Sequence, residues 1–287
     1  MYLEFYGLQE APFGLTPNPR HLFKTESHIE ALAMLQYGIA ENKGLIVLTG
    51  EAGTGKTTIL RLALKECSAD VLPIYLFNPF LTAAEFFQQI THEFKLGLER
   101  TATKPEALTA LGRFLIARHT QGLKTVLLID EAHGLPPELL EEARLLLNFE
   151  TSEEKLLQII LCGQPELDDL LNTPRLRQLK QRVSLRCYLK PLSVFDINKY
   201  IRFRLKSAGA TNVNLFDQAA VGLIGHLSQG VPRIINNLCD NALLYGFAAG
   251  RALITREIIE DVSDALDMRP AEPPAYCAAD FIEDDLR

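Results

Sequence analysis

No apolar run in this chain of 287 residues approaches the ~20 residues that a bilayer-spanning helix needs. The longest, such as LIVL and VLLI, have the length of single buried strands. The opening stretch, MYLEFYGLQEAPF, lacks the basic-then-apolar layout of a signal peptide. Cysteine is sparse: Cys67, Cys162, Cys187, Cys239 and Cys277 are odd in number and far apart, and none forms a CxxC or zinc spacing. That excludes a disulfide framework and predicts reduced thiols, mostly small core residues. Together these absences predict a soluble, cytoplasmic protein. No internal repeat is evident, which excludes a repeat array.

Positive charge is scarce too. Lys and Arg number 29 against 36 Asp and Glu, a net charge of −7 that argues against bulk electrostatic binding to DNA or anionic lipid. The scarcity is uneven. Residues 174–206 carry ten Lys or Arg against the single acid Asp196, which leaves −16 for the remainder. Such asymmetry needs a specific counter-charge. Four are open: a nucleic acid, a membrane surface, the ordinary solvent of a polar face, or the phosphates of a nucleotide held by another copy of the chain.

What is present is an ordinary globular composition, 47 % hydrophobic and 23 % charged, with length for one or two domains. Short apolar runs at 45–49, 71–77, 125–130 and 156–162 alternate with helical patterns. That alternation predicts an α/β fold whose parallel sheet is covered on both faces. A fifth run, VSLRCYL at 183–189, puts Val183, Leu185, Cys187 and Leu189 on one face and reads as a strand with its other face less buried. After Lys190-Pro191 only helical patterns follow, near 194–208, 216–228, 232–248 and 255–266. In the last, Thr255 is the expected N-cap, and Ile258, Ile259, Val262, Ala265 and Leu266 form one apolar stripe. The expected layout is an N-terminal segment over 1–43, an αβα core over 44–190, a small helical lid over 191–267, and an acidic, proline-marked tail over 268–287 expected to be disordered.

One stretch dominates the functional reading: LIVLTGEAGTGKTTILRLAL contains GxxxxGK[ST] as Gly50 to Thr57, directly after an apolar strand and opening a helix. Gly50, Gly53 and Gly55 let the backbone curl so that successive N–H groups, across Glu51, Ala52, Thr54 and on to Thr58, converge on phosphate oxygens. The helix N-terminus adds partial positive charge. Lys56 is expected at the β- and γ-phosphates of ATP, and the Thr57 hydroxyl on Mg²⁺. The competing reading is a glycine-rich turn with no ligand. In TVLLIDEAH, Asp130 ends a buried strand as a Walker B magnesium ligand would. Glu131 beside it is placed to polarise the attacking water, or is a solvated carboxylate at a strand end. The letters DEAH also occur in a helicase class whose other blocks are missing here, so His133 reads as incidental.

Three further features resemble the AAA+ ATPases. QIILCGQPEL places Gln164 just beyond a strand, where that family carries its sensor 1 residue, more often Asn, Ser or Thr. GVPRIINNLCDNAL is similar to the sensor 2 motif, with Arg233 at a helix start. LKQRV lies where the family places its arginine finger, at Arg182, with Arg177 and Arg175 as runners-up. More narrowly, FYGLQEAPFGLTPNPRHLF followed by HIEALAMLQYGI, together with GQPEL and LRQLKQRV, resembles the general secretion pathway protein A family, often called ExeA-like, over roughly residues 1 to 266. The resemblance implies an αβα core with a helical lid and ATP hydrolysis between subunits of a ring or transient homo-oligomer. It also implies work on a bacterial secretion or pilus assembly system at the inner face of the membrane, and a stretch from Phe13 to Phe23 folded over the adenine. That stretch reads equally as a hydrophobic edge packed on the core. The main rival is a DNA-associated switch in transposition or replication, with Lys199, Arg202 and Lys206 along one helix face. A scaffold that uses ATP only to assemble is the third reading.

Overall fold

The computed structural model describes residues 2–14, 23–67, 69–76, 82–99 and 101–268. The tail expected from 268 on and most of the Phe13–Phe23 stretch lie outside them. The chain divides into two units, Thr16–Pro191 and the pair of segments Met1–Leu15 and Leu192–Arg287.

In the first unit five parallel strands form one sheet in the order β2-β3-β4-β1-β5. They are β1 (Leu45–Gly50), β2 (Val71–Leu76), β3 (Lys124–Ile129), β4 (Gln158–Gly163) and β5 (Val183–Leu189). β1 and β4 are buried at every position, because helices cover both faces and an uninterrupted apolar run suits that environment. Alternate side chains feed two cores. Leu45, Val47, Leu127, Ile129, Ile159 and Leu161 pack on one face, where α4 (Ala83–Glu93), α5 (Lys104–His119) and α6 (Pro137–Leu146) contribute Phe86, Leu111 and Leu140. Ile46, Leu48, Val126, Leu128 and Ile160 pack on the other, under α2 (Glu26–Ala40) and α3 (Lys56–Glu66). The short helices α7 (Glu166–Leu171) and α8 (Arg177–Lys180) add Leu167, Leu171 and Leu179 to the first of these cores. Edge strand β5 buries Cys187 and Leu189 while Ser184, Arg186 and Tyr188 are exposed, the one-sided pattern its alternation predicts.

The register decides where chemistry can occur. Thr49 pairs with Gly163 and Gly50 with Leu189, while Ile129 pairs with Leu161. The carboxyl ends of β1, β3 and β4 therefore meet at one edge, the edge at which open parallel sheets bind ligands.

The second unit is helical, with α1 (Tyr2–Phe5), α9 (Val194–Ser207), α10 (Gln218–Ser228), α11 (Pro232–Ala248) and α12 (Arg256–Ala265). Ser193 and Asp217 cap α9 and α10 through their side chains, and Pro232 opens α11. Thr255 occupies the N-cap of α12, but its hydroxyl makes no cap bond and is buried without a partner. The stripe on α12 is also shorter than its pattern: Ile258, Ile259 and Val262 are buried, whereas Ala265 and Leu266 are exposed.

The first residues of the chain are fastened to this unit. Tyr2 Oη donates to Asp240 Oδ1 at 3.0 Å and Tyr6 Oη to the Arg251 carbonyl at 2.9 Å. Phe13 is buried with its ring edge-on to Phe216. Arg204, one of the ten cations of the basic window, is 7 % exposed. Its guanidinium donates to the carbonyls of Pro12 at 2.6 Å and Gly14 at 3.1 Å, and to Tyr200 Oη at 3.3 Å. It is a structural clamp rather than part of a charged surface.

Candidate nucleotide site

The loop from Gly50 to Lys56 is shaped by its own backbone. A side chain at Gly50 would place Cβ 2.7 Å from the Leu189 carbonyl of the neighbouring strand, so only glycine lets β1 and β5 stay paired there. Thr54 turns the chain: its N–H and hydroxyl both donate to the Glu51 carbonyl, at 3.2 and 2.8 Å. Gly55, at φ 100°, then caps α3 in the left-handed region that a glycine adopts without strain. The first N–H groups of α3, from Lys56, Thr57 and Thr58, have no intrahelical acceptor and carry the positive end of the helix dipole. Glu51 and Ala52 are exposed, while Gly53, Thr57 and Thr58 are half-buried.

Lys56 is 7 % exposed, an unusual burial for a lysine. Its ammonium donates to the Gly50 and Glu51 carbonyls, at 2.7 and 3.0 Å. Among the described residues no carboxylate pairs with it. A buried cation met only by carbonyl dipoles favours an anion beside it. One helical step on, Thr57 Oγ1 donates to Asp130 Oδ2 at 3.0 Å, joining the end of β3 to the start of α3 across β4. Asp130 Oδ1 accepts the Glu131 N–H at 3.0 Å. The buried thiol of Cys162 on β4 lies against the same carboxylate. Burial first, and the Asp130 charge second, push that thiol well above its ordinary range. It is therefore a neutral wall of the site. The hydroxyl and carboxylate are hard oxygen donors of the type magnesium takes alongside phosphates and water.

Glu131 is exposed and left-handed at φ 52°, a conformation uncommon outside glycine. Its Oε2 lies 3.4 Å from His133 Nδ1. His133 in turn meets Gln164 twice: the Gln164 N–H donates to Nδ1 at 3.3 Å, and the side-chain amide lies 3.0 Å from Nε2. Gln164 follows the last residue of β4, as its motif predicts. His133, read from sequence as incidental, stands between the two residues expected to sense and activate. His28 was not singled out in the sequence either. It is buried on α2 with Nε2 3.1 Å from the Thr54 carbonyl.

The basic residues are dispersed. Arg182 immediately precedes Val183, which pairs with Leu45 at the amino end of β1. It is thus roughly 16 Å along the strand from the loop of its own chain. There, burial and the neighbouring Arg182 charge hold the Lys155 ammonium below its usual range. Arg175 is paired with Glu138 at 2.5 Å, and Arg177 is exposed at the start of α8. Arg186 pairs with Asp168, which also accepts from Thr49 Oγ1. Arg233 is exposed at the second residue of α11, in the helical unit.

This geometry agrees with the comparisons to known proteins. Residues 39–171 match the AAA domain family. General secretion pathway protein A of Aeromonas hydrophila is 44 % identical over 250 residues, covering 87 % of this chain and 46 % of that protein. The chain carries an AAA-type P-loop core and is similar to general secretion pathway protein A over most of its own length. It spans about half the length of that relative. Among solved structures, Cdc6p from Pyrobaculum aerophilum superimposes with a TM-score of 0.70 at 17 % identity, over 88 % of this chain and 70 % of that one. The Thermotoga maritima RuvB branch migration motor gives 0.53 at 19 % identity, over 84 % and 70 %. At these identities the likeness shows the fold alone, the three-layer P-loop core with a helical region after it. An AAA+ fold with this loop is a nucleotide-binding fold. Among the described residues, no helix is long and apolar enough to cross a membrane.

Proposed function

We propose that this AAA+ protein binds Mg-ATP at the Gly50–Thr58 loop and hydrolyses it where copies of the chain meet. The released free energy would drive a conformational step in a bacterial secretion or pilus assembly system at the inner face of the cell membrane. The observation that carries the reading is the buried Lys56 ammonium, met among the described residues by carbonyls alone, beside the Thr57–Asp130 pair.

The residues divide the work as follows. Lys56 and the N–H groups of the loop would hold the phosphates, and Thr57 and Asp130 would hold magnesium, which would supply charge neutralisation at the phosphate oxygens. Glu131 orients the attacking water and draws its proton. His133, beside Glu131 and hydrogen-bonded to Gln164, would set the place of Gln164, which would report on the terminal phosphate. Charge on the transferred group grows in the transition state, and a guanidinium stabilises it in pairs of hydrogen bonds. Arg182, at the far end of its own sheet, suits donation to a neighbouring copy, and Arg233 would take the sensor 2 role. A phosphate-release assay on the wild type and on Lys56→Ala tests the reading; release unaffected by Lys56→Ala would end it.

A DNA-associated switch is the second reading. Lys199, Arg202 and Lys206 are all exposed on α9, at spacings that share a helix face. Duplex DNA should then bind with a steep salt dependence that Lys199→Glu with Arg202→Glu abolishes. Absence of binding at low salt removes it.

A further inference from the structure

The buried histidine under the phosphate loop has a geometry that the reading above does not use. His28 is 3 % exposed, in the first turn of α2. Both its ring nitrogens are engaged: Nδ1 lies 2.6 Å from Thr25 Oγ1 and Nε2 lies 3.1 Å from the carbonyl oxygen of Thr54. A carbonyl only accepts, so Nε2 must carry the hydrogen, and Nδ1 then accepts from the threonine hydroxyl. Burial holds the ring below its ordinary pKa and so keeps it in this neutral form. Thr25 is itself the N-cap of α2 and accepts the His28 N–H through the same oxygen, so the ring is held from its own helix end.

The Thr54–Gly55 peptide is planar and trans, so its carbonyl and the Gly55 N–H point in opposite directions. A carbonyl anchored on the α2 side leaves the N–H aimed into the loop. The Thr54 N–H and hydroxyl are already spent on Glu51, and they fix the turn but not the plane that follows it. The imidazole also packs against Gly55 itself, whose Cβ, if present, would lie 3.4 Å from Nε2.

We propose that His28 is a positioning residue of the phosphate loop: by holding the Thr54 carbonyl it presents the Gly55 N–H to the phosphates of a bound nucleoside di- or triphosphate. The inference rests on the nucleotide reading of the loop and adds a part supplied from outside the motif. Its loss weakens ground-state and transition-state binding alike, so KM rises and kcat holds.

The test is calorimetric titration of the full chain with ADP and magnesium, paired with steady-state hydrolysis. His28→Leu keeps volume but removes the donor, and should raise the Kd by about tenfold, the effect of one hydrogen bond to the loop. His28→Gln reaches the same carbonyl with an amide N–H and should restore most of the affinity. Wild-type affinity in His28→Leu overturns the proposal, as does equal loss in both variants, which would mark a packing effect. Should His28→Leu fail to fold, His28→Asn replaces it: its amide is too short to reach Thr54, and affinity equal to that of His28→Gln overturns the idea. If the wild type gives no heat with ADP, the nucleotide reading itself has failed, a result distinct from all of these.

Discussion

The His133 imidazole lies 3.0 Å from the side-chain amide of Gln164, and its other nitrogen lies 3.4 Å from the Glu131 carboxylate. The Gln164 N–H donates to the nitrogen that faces Glu131, at 3.3 Å, so that nitrogen is an acceptor and the carboxylate is its close neighbour rather than its hydrogen-bond partner. The ring is packed between the two side chains, and on the proposed reading of the site its removal would disturb the alignment of both.

His133→Ala should accordingly lower kcat by about ten- to a hundredfold, because a catalytic group out of alignment forfeits orientation rather than binding. ADP affinity should stay at the wild-type value. Single-turnover hydrolysis and calorimetry check the two halves, and a variant with unimpaired turnover would return His133 to the incidental role that its sequence context suggested.

Glu131→Gln separates binding from chemistry more sharply. The amide keeps the side chain's length but is no base, so ATP should bind with wild-type affinity while turnover falls by at least about a hundredfold. Filter binding of labelled ATP beside phosphate release provides the measurement. Full hydrolysis by this variant would take the base away from Glu131.

The strands were legible because a sheet covered on both faces demands unbroken apolar runs, and LIVLTG, KTVLLI and QIILCG supply them. The loop was legible because its spacing encodes a single turn between adjacent elements. The residues that escaped share a different property: their meaning depends on contacts distant in sequence. His28 meets Thr54 and His133 meets Gln164 across intervening secondary structure, and no local period marks either pair. Arg204 looked like one more cation of a basic window until the fold turned it inward onto Pro12 and Gly14. Thr255 shows the converse: the cap position was legible, but the cap bond was not made.

Arg204 carries a stability prediction of its own. Its guanidinium satisfies two carbonyls of the first segment, and that of Pro12, a buried residue, lies where water reaches it poorly. Arg204→Ala should cost about 2–4 kcal/mol through the charged hydrogen bonds lost and the carbonyls left unpaired. Urea unfolding followed by circular dichroism would register it as a fall in midpoint. Arg202→Ala, two residues away and exposed, is the control and should shift the midpoint little.

Arg182 provides the test of a shared site. Its place beside the amino end of β1 puts it out of reach of its own loop, so any catalytic role requires a second copy. Arg182→Ala should leave ADP binding intact and depress turnover, by up to about 10³-fold if it acts as an external cation does in related phosphoryl transfers. Mixing decides between this and simple damage. An Arg182→Ala subunit retains a whole loop, and a Lys56→Ala subunit retains Arg182; neither works alone. Where they adjoin, the guanidinium of the second meets the loop of the first, and activity should rise above that of either parent. Turnover per subunit should also climb with protein concentration. A mixture no more active than its parts, with turnover independent of concentration, would confine the chemistry to a single chain.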